Sequence, residues 1–397
     1  MKILIIQNYG GLGGGSRSAL DVAKVFLELK HSVDMIVDNP SEEFLTIGKK
    51  ININIIENHP PIMLLTFHNA SGLWIKSWFR FLKGKKNKNA WVNFFKNNNQ
   101  YDLVVLNSST LCCFCDILNN LNINNITIIR ETFKKNILMN KLQFKYLKES
   151  NAIAYLTEFD KNQWNMNKNE FILPEIIDES LYDDLNETSF FDNNFLYLGG
   201  LSSCKGALTY LKAALEITKK RPDLKCSFTI LGNTYKEFDK WSILKKIISF
   251  KHYNYRNKCN KVIYEIQCID KKSLDLVGLT TDISKYYKKC MAVVFPVQEV
   301  HQPRPAYEAG LFKKPIILPD FDNFKDNVVD DVNGFYFQKK DSQSLAKVMI
   351  QIAENTKNSI FVGENNKKNT IEKHSLANAK KIMQQMLESF RKNRTMN

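Results

Sequence analysis

Short apolar runs alternate with segments of helical periodicity along most of the chain. In the first half the runs predicted to be strands are KILIIQN, SVDMIVD, DLVVLNS, ITIIRE and AIAYLT, and Ser16 to Lys30 has the spacing of an amphipathic helix. Strands that alternate with helices in this way are typical of a parallel sheet with crossover helices. The first half therefore predicts an α/β domain.

The same alternation starts again after residue 194. The predicted strands are NFLYLGG, SFTILGN, KVIYEI, MAVVFP and PIILP, with helices from Ala207 to Lys219, around Trp241 to Ser249, from Ser284 to Cys290 and from Arg304 to Phe312. Residues 174–194 are rich in acids and Asn without a clear period, which indicates an interdomain connection. The pattern predicts two Rossmann-like domains that face each other across a cleft.

Composition limits the class of protein. At 397 residues the chain is long enough for two domains, and 44% hydrophobic with 24% charged residues is a soluble globular balance. No apolar run approaches the roughly 18 residues of a spanning helix, and ILII after Lys2 is too short for a signal-peptide core. We therefore expect a cytoplasmic protein.

The cysteines and the net charge limit which ligands the protein can be expected to bind. The eight cysteines lack the framework of a small secreted domain, so we expect reduced thiols. One residue separates Cys113 from Cys115, whereas zinc knuckles use about two to four, which disfavours zinc there. The net charge of +15 favours phosphate-bearing substrates, nucleic acid or an anionic membrane surface.

A glycine-rich loop, GGLGGG at residues 10–15, follows the first predicted strand. It lacks the final Gly or Ala of a dinucleotide fingerprint, although Asp38 lies near the expected position of the acid. Two other interpretations are a tight turn with Ser16 as the N-cap, and a loop whose backbone N–H groups approach a phosphate. The number of glycines favours phosphate contact.

A second glycine-containing turn lies at the start of the second half, in the stretch FLYLGGLSSCKGALTYLKAA. Gly199 and Gly200 end the strand, and Lys205 precedes a helix that starts near Ala207. A lysine beside the N–H groups of a helix start can hold a diphosphate and stabilise its charge as it leaves. The alternative is a surface lysine beside a glycine turn.

The stretch VVFPVQEVHQPRPAYEAGLFKKPIILP completes a pattern with YLGGLSSCKG, TILGN and VNGFYF. Together they resemble the family 4 glycosyltransferases, retaining enzymes of the GT-B fold that use nucleotide-diphosphate sugars. The resemblance implies an acceptor-side domain at 1–178 and a nucleotide-sugar-binding domain at 190–375. It also implies that the final helix, in 376–397, crosses back to the first domain, which suits its apolar residues at helical spacing.

The resemblance implies roles for individual residues. Glu308 matches a glutamate that binds the donor ribose hydroxyls, and Lys205 matches a lysine that contacts the donor diphosphate. Gly232 and Asn233 match the glycine-ended strand beside the nucleotide, and Gly199 and Gly200 are further candidates for donor binding. Gly13, Gly14 and Gly15 match the loop that faces the donor phosphates and the acceptor.

The sequence departs from the family pattern at three places. Gly200 stands where the family has an arginine, so Arg304 or Arg130 is a candidate for the missing cation. Val300 stands where the family has the first glutamate of an E-x7-E element whose second glutamate is matched by Glu308. Either the loop shifts so that Glu299 takes this place, or His301 and Gln302 contact the sugar. We favour the interpretation in which His301 and Gln302 contact the sugar. Asn107 and Ser108 occupy the place of a family histidine, on the acceptor side.

Arg130 and Glu131 end the predicted strand ITIIRE. The carboxyl ends of parallel strands line ligand crevices, so these side chains are candidates to orient the acceptor or bind a phosphate. An ordinary strand-end ion pair is an equally good interpretation.

Residues 72–96 combine seven Lys or Arg with seven Trp or Phe and no acid. Interleaved cations and aromatics suit a segment at an anionic bilayer. The alternative is a helix whose aromatic face packs on the first sheet. Nucleic acid is disfavoured because no recognition module accompanies the segment.

The sequence therefore predicts a retaining hexosyltransferase that uses a nucleotide sugar as co-substrate, with no metal and no other cofactor. The expected acceptor is a hydroxyl of a glycan or lipid-linked molecule in surface polysaccharide synthesis, of the lipopolysaccharide, O-antigen or capsule type, on the inner face of the membrane. Two alternatives stay open: a catalytically altered protein that binds sugar nucleotides, and a nicotinamide-dependent oxidoreductase.

Overall fold

The computed structural model describes residues 1–11, 13–65, 82, 84–133, 137–166, 169–182, 193–232, 250–280 and 282–395. The chain forms two compact units. The first contains Met1–Asp178 and His374–Asn397, and the second contains Glu179–Lys373.

The first unit is built on a parallel sheet. Its strands in the described residues are β1 Lys2–Gln7, β2 Ser32–Val37, β3 Asn54–Ile55, β4 Leu103–Leu106, β5 Asn124–Ile129, β6 Ala152–Tyr155 and β7 Glu170–Ile172, in the spatial order β3-β2-β1-β4-β5-β6-β7. The helices described in residues 1–178 are α1 Gly14–Glu28, α2 Glu42–Lys50, α3 Lys88–Asn97, α4 Cys113–Asn120, α5 Ile137–Leu147 and α6 Glu158–Trp164. Helices cover both faces, so β1 is apolar at every position from Ile3 to Ile6.

The second unit repeats this architecture. Its described strands are β8 Asn194–Leu198, β9 Ser227–Leu231, β10 Leu274–Gly278, β11 Ala292–Val294, β12 Ile316–Pro319 and β13 Phe335–Phe337, all parallel, in the order β10-β9-β8-β11-β12-β13. The helices in the same described ranges are α7 Ala207–Lys220, α8 Phe250–Ile269, α9 Ser284–Lys289, α10 Arg304–Leu311, α11 Ser342–Glu354 and α12 Thr356–His374. The predicted fold class, two α/β domains with parallel sheets, is confirmed.

One predicted strand is wrong. KVIYEI lies inside α8, whose buried residues Cys259, Val262, Ile263 and Ile266 recur at helical spacing and join the core with α7. A short run rich in Val, Ile and Tyr satisfies either periodicity, and only the longer window separates them. The neighbouring strand of the sheet is β10, at Leu274–Gly278. The helix predicted around Trp241 to Ser249 lies outside the described residues.

The last helix, α13 Leu376–Thr395, packs on the first unit. Its buried residues are Ala379, Met383, Met386, Leu387 and Phe390. Polar contacts fix its start, because His374 Nδ1 lies 2.7 Å from the carbonyl oxygen of Glu175 and Lys380 pairs with Glu28 on α1 at 2.9 Å. In the part of the chain that the structure describes, no helix has both the length and the apolar character that crossing a membrane requires.

Gly206 provides a test of backbone crowding in the second unit. Its φ is +82°, and a Cβ there would lie 1.7 Å from the carbonyl oxygen of Pro296. The left-handed conformation alone costs an L-residue about 1–2 kcal/mol. We expect Gly206→Ala to lower the free energy of unfolding by more than that, measured by thermal or urea denaturation.

Gly14→Ala is the matched control, because a Cβ at Gly14 would meet no atom of the described residues within 4 Å. It should not destabilise the protein. An unchanged unfolding transition in Gly206→Ala would contradict the crowding.

Candidate functional site

Three neighbouring strands of the second unit end in glycines with positive φ. These are Gly200, Gly232 and Gly278, with φ of 55°, 117° and 87°. Gly200 N donates to Leu231 O at 2.8 Å, and a Cβ on Gly232 would lie 2.6 Å from Gly200 N. Backbone therefore meets backbone at this edge, and the left-handed φ of Gly200 disfavours the arginine that the family pattern has there.

The loop that carries Lys205 is held by the loop after β11. Gln298 N donates to Cys204 O at 3.0 Å, and Gln298 Nε2 donates to Pro296 O at 2.9 Å. Lys205 is half-buried and has no ion-pair partner among the residues that the structure describes. The first turn of α7 lacks both an acidic residue and a side-chain cap. The arrangement places a cation beside the positive end of a helix dipole, which suits an anion.

Glu308 lies on α10, 4% exposed, within a set of hydrogen-bond donors. Arg304 Nε, one helical turn earlier, donates to its Oε1 at 2.9 Å. Tyr182 Oη donates to the same oxygen at 2.9 Å, and Tyr287 Oη donates to Oε2 at 2.7 Å. Burial, and then the charge of Glu308, raise the pKa of Tyr287 well above its usual value, which keeps its hydroxyl protonated. The site is therefore a buried carboxylate in a fixed orientation.

Neither tyrosine is predicted from the sequence as part of this site. Tyr287 lies in SKYYKK, and Tyr182 lies in the connection that was predicted to have no periodic structure. Neither stretch carries a local signal of a ligand site, since their relation to Glu308 arises only from the fold.

The loop between β11 and α10 presents the remaining predicted residues of this edge. His301 is exposed and its ring stacks on Phe295 at a centroid distance of 6.1 Å, while its carbonyl oxygen accepts from Asn323 Nδ2 at 3.1 Å. Glu299 is exposed and Gln302 half-buried. Asn233 lies outside the described residues.

In the first unit, the glycine loop leads into α1 without a side-chain cap. The N-cap is Gly13, and Ser16 Oγ donates to Tyr9 O at 2.7 Å, so the interpretation of Ser16 as the N-cap is wrong. A Cβ on Gly13 or Gly14 would meet nothing within 4 Å, and neither glycine has a positive φ. The described part of the chain therefore imposes no requirement for glycine at these two positions.

Asn107 connects this loop to the end of β4. Its Nδ2 donates to Gln7 Oε1 at 2.8 Å and to Gly15 O at 3.2 Å. Its buried Oδ1 has no hydrogen-bond partner within the described part of the chain. Asn107, Ser108 and Gly15 thus lie together at the carboxyl edge of the first sheet.

Arg130 and Glu131 bind different partners. Arg130 pairs with buried Glu175, which also accepts from Ser18 Oγ at 2.7 Å. Glu131 accepts from Ser108 Oγ and from Ser109 N, the latter at 2.8 Å. The two residues do not form an ion pair with each other, and each stabilises the edge on which the acceptor was expected to bind.

The basic aromatic segment is described only in its last part. Trp91 and Phe95 are buried and pack with Phe114, which contributes to the core of the first unit. Lys88 pairs with Asp116 at 2.5 Å. For residues 84–96 the aromatic side chains therefore follow the core-packing interpretation. Residues 72–81 and Lys83 lie outside the described residues.

The CCFC cysteines also belong to the core. Cys112, Cys113 and Cys115 are buried, and burial raises the pKa of Cys112 well above its usual value. Within the described ranges, no three His, Cys, Asp or Glu side chains are grouped as a metal site would require.

Comparison with known proteins adds sequence relatives. Residues 190–369 match the family described as Glycosyl transferases group 1. An uncharacterised glycosyltransferase of Haemophilus influenzae is 24% identical over 349 residues, which cover 86% of this chain and 87% of that protein. These similarities do not favour the nicotinamide-dependent oxidoreductase that the glycine loop left open.

Solved structures share the fold over nearly the whole chain. A glycosyltransferase from Rickettsia africae has a TM-score of 0.74 at 15% identity, covering 99% of each chain. Anabaena HepE, solved in complex with UDP and glucose, has a TM-score of 0.73 at 14% identity, covering 98% of this chain and 100% of HepE. The chain therefore has the fold of these solved structures, and its residues 190–369 match Glycosyl transferases group 1.

Proposed function

We propose that the protein is a retaining glycosyltransferase that moves a sugar from a nucleoside diphosphate to an acceptor hydroxyl. The observation that carries the proposal is the combination of Lys205 beside the uncapped start of α7 with the buried carboxylate of Glu308, in the residues that match group 1. Binding of a ribonucleoside diphosphate requires a cation for its diphosphate and a hydrogen-bond acceptor for its ribose hydroxyls.

In this proposal the second unit binds the donor. Lys205 and the N–H groups of α7 hold the diphosphate, and Glu308 accepts from the ribose. The glycine ends of β8 and β9 let the nucleotide approach the backbone. His301, with Gln302 or Glu299, contacts the sugar from the loop before α10, and Arg304 acts through its bond to Glu308.

The reaction then depends mainly on positioning and charge stabilisation. The bond from the anomeric carbon to the phosphate oxygen breaks, and a bond to the acceptor oxygen forms on the same face of the sugar. The leaving phosphate takes the proton of the acceptor hydroxyl. Lys205 stabilises the charge that develops on the phosphate, so we propose no metal and no further cofactor.

We assign acceptor binding to the first unit, at the edge formed by Gly13 to Gly15, Asn107 and Ser108. Arg130 and Glu131 orient this edge through Glu175 and the Ser108–Ser109 turn. The acceptor we propose is a glycan or lipid-linked molecule of surface polysaccharide synthesis. The protein would bind it while attached peripherally to the inner face of the membrane.

A second candidate is a sugar-nucleotide-binding protein without turnover. Gly200 and Val300 favour it, because a cation and a carboxylate of the family pattern are missing there. A panel of nucleotide sugars assayed by mass-detected hydrolysis and transfer separates the two. Binding without either reaction would identify the second candidate.

We expect Lys205→Ala to lower the rate of sugar transfer by about 30- to 1000-fold, because the departing diphosphate loses a donor worth about 2–4 kcal/mol of barrier. The rate is measured with the active donor of the panel. Lys212→Ala, which removes an exposed lysine from α7 itself, is the control and should keep full activity. Equal rates in the two variants would refute the role of Lys205.

The variant Gly14→Ala tests whether the glycine at this position is required for the fold or for substrate binding. Because none of the residues that the structure describes opposes a methyl group there, the variant should gain about 0.4–1 kcal/mol of stability. It should also lose roughly one order of magnitude in transfer, since the methyl group displaces the substrate from the start of α1. Thermal denaturation and the transfer assay measure the two effects. A more stable enzyme with full activity would mean that the loop does not contact substrate.

The proposed membrane surface is tested by flotation with anionic liposomes. We expect binding at low salt that is lost at high salt, because exposed lysines such as Lys85 and Lys86 supply the attraction. Neutral liposomes are the control. A protein that remains in the bottom fraction at low salt would exclude this partner.

A further inference from the structure

The carboxylate of Glu308 already has most of its acceptor capacity in use. A carboxylate offers about four lone-pair positions. Arg304 and Tyr182 occupy two on Oε1, and Tyr287 occupies one on Oε2. Two adjacent ribose hydroxyls need two positions, so at least one internal donor must leave when they bind.

Two of the three donors are held firmly. Arg304 lies one turn from Glu308 on α10, and breaking a buried ion pair is strongly destabilising. Tyr287 is fully buried on α9, with its ring parallel to that of Phe312 at a centroid distance of 5.1 Å. Both donors belong to helices of the unit's core.

Tyr182 is held in place by less regular structure than Arg304 and Tyr287. It follows the short 3-10 turn Glu179–Leu181 rather than lying in a helix or strand of the sheet layers. Its ring meets Phe312 edge-on at 5.7 Å, and its hydroxyl is a neutral donor. Among the donors named here, it is the one whose hydrogen bond to Glu308 can break without the loss of a charge pair or the displacement of a core helix.

We infer that Tyr182 sets the affinity of the site for a ribonucleoside diphosphate, by occupying on Glu308 the lone pair that a ribose hydroxyl takes. The inference rests on the proposed function of Glu308 as the ribose acceptor. Tyr182 thereby acts as a specificity-determining residue: a ligand displaces it only if that ligand supplies a hydroxyl in exchange. A nucleotide without ribose hydroxyls leaves Tyr182 in place.

The test compares two variants that each remove one tyrosine hydroxyl from the same carboxylate. Tyr182→Phe and Tyr287→Phe are titrated by calorimetry with uridine, guanosine and adenosine diphosphates and with the 2′,3′-dideoxy form of each. Tyr182→Phe should bind the ribonucleotide about threefold to tenfold more tightly than the unchanged protein, since no hydrogen bond is lost on binding. Tyr287→Phe should bind with equal or lower affinity.

The dideoxy nucleotide should bind Tyr182→Phe and the unchanged protein equally, because it displaces nothing. In a Glu308→Gln background the ratio of ribo- to dideoxynucleotide affinity should no longer depend on residue 182. Tyr155→Phe, which removes a buried tyrosine–carboxylate bond of 2.6 Å in the first unit, controls for general effects of such a loss. If Tyr182→Phe does not fold, Tyr182→Leu keeps an apolar side chain against Phe312.

The outcomes separate the two proposals. If the unchanged protein binds none of the diphosphates, the proposed function fails and the inference fails with it. If it binds them with a preference for ribose, but Tyr182→Phe binds no more tightly or both tyrosine variants tighten equally, Tyr182 is not the displaced donor and the proposed function stands.

Discussion

The buried charge of Glu308 is the constraint on which the edge of the second unit depends. A carboxylate removed from water is destabilising unless hydrogen-bond donors surround it. The chain supplies these donors from three separate places: Arg304 on the same helix, Tyr287 on α9 and Tyr182 at the start of the unit. Because the donors are far apart in sequence, the orientation of the carboxylate depends on the folding of the whole unit, and it is fixed before any ligand arrives.

The glycine-rich loops of the two units look alike in sequence but have different physical causes. Gly206 and Gly232 lie where backbone meets backbone, and any side chain would collide with a carbonyl or an N–H group. Gly13 and Gly14 face open space with ordinary φ values. The first pair is explained by packing within the chain, whereas the second leaves room beside a helix start, where an anion or a hydroxyl is favoured.

Parallel strands bring the parts of the site together. Loops that follow β8 and β11 leave the sheet at the same edge, and the hydrogen bond from Gln298 N to Cys204 O joins them. The Lys205 loop is therefore supported by the loop that leads to His301 and α10. A cation, a helix start and a buried carboxylate at one edge of the sheet would supply the pre-organisation that the proposed sugar transfer requires.

The sequence by itself determined the fold class and the positions of most strands, because burial on both faces of a parallel sheet leaves apolar runs that can be recognised locally. It also determined which residue types follow the strands, among them Lys205, Glu308 and the glycines. Only the tertiary structure decided their partners. Arg130 binds Glu175 rather than its neighbour, KVIYEI is helical because it packs on α7, and Trp91 and Phe95 are core residues. The physical reason is the same in each case: hydrogen bonds and apolar contacts join residues that are distant in sequence, and local periodicity carries no information about which surface will meet them.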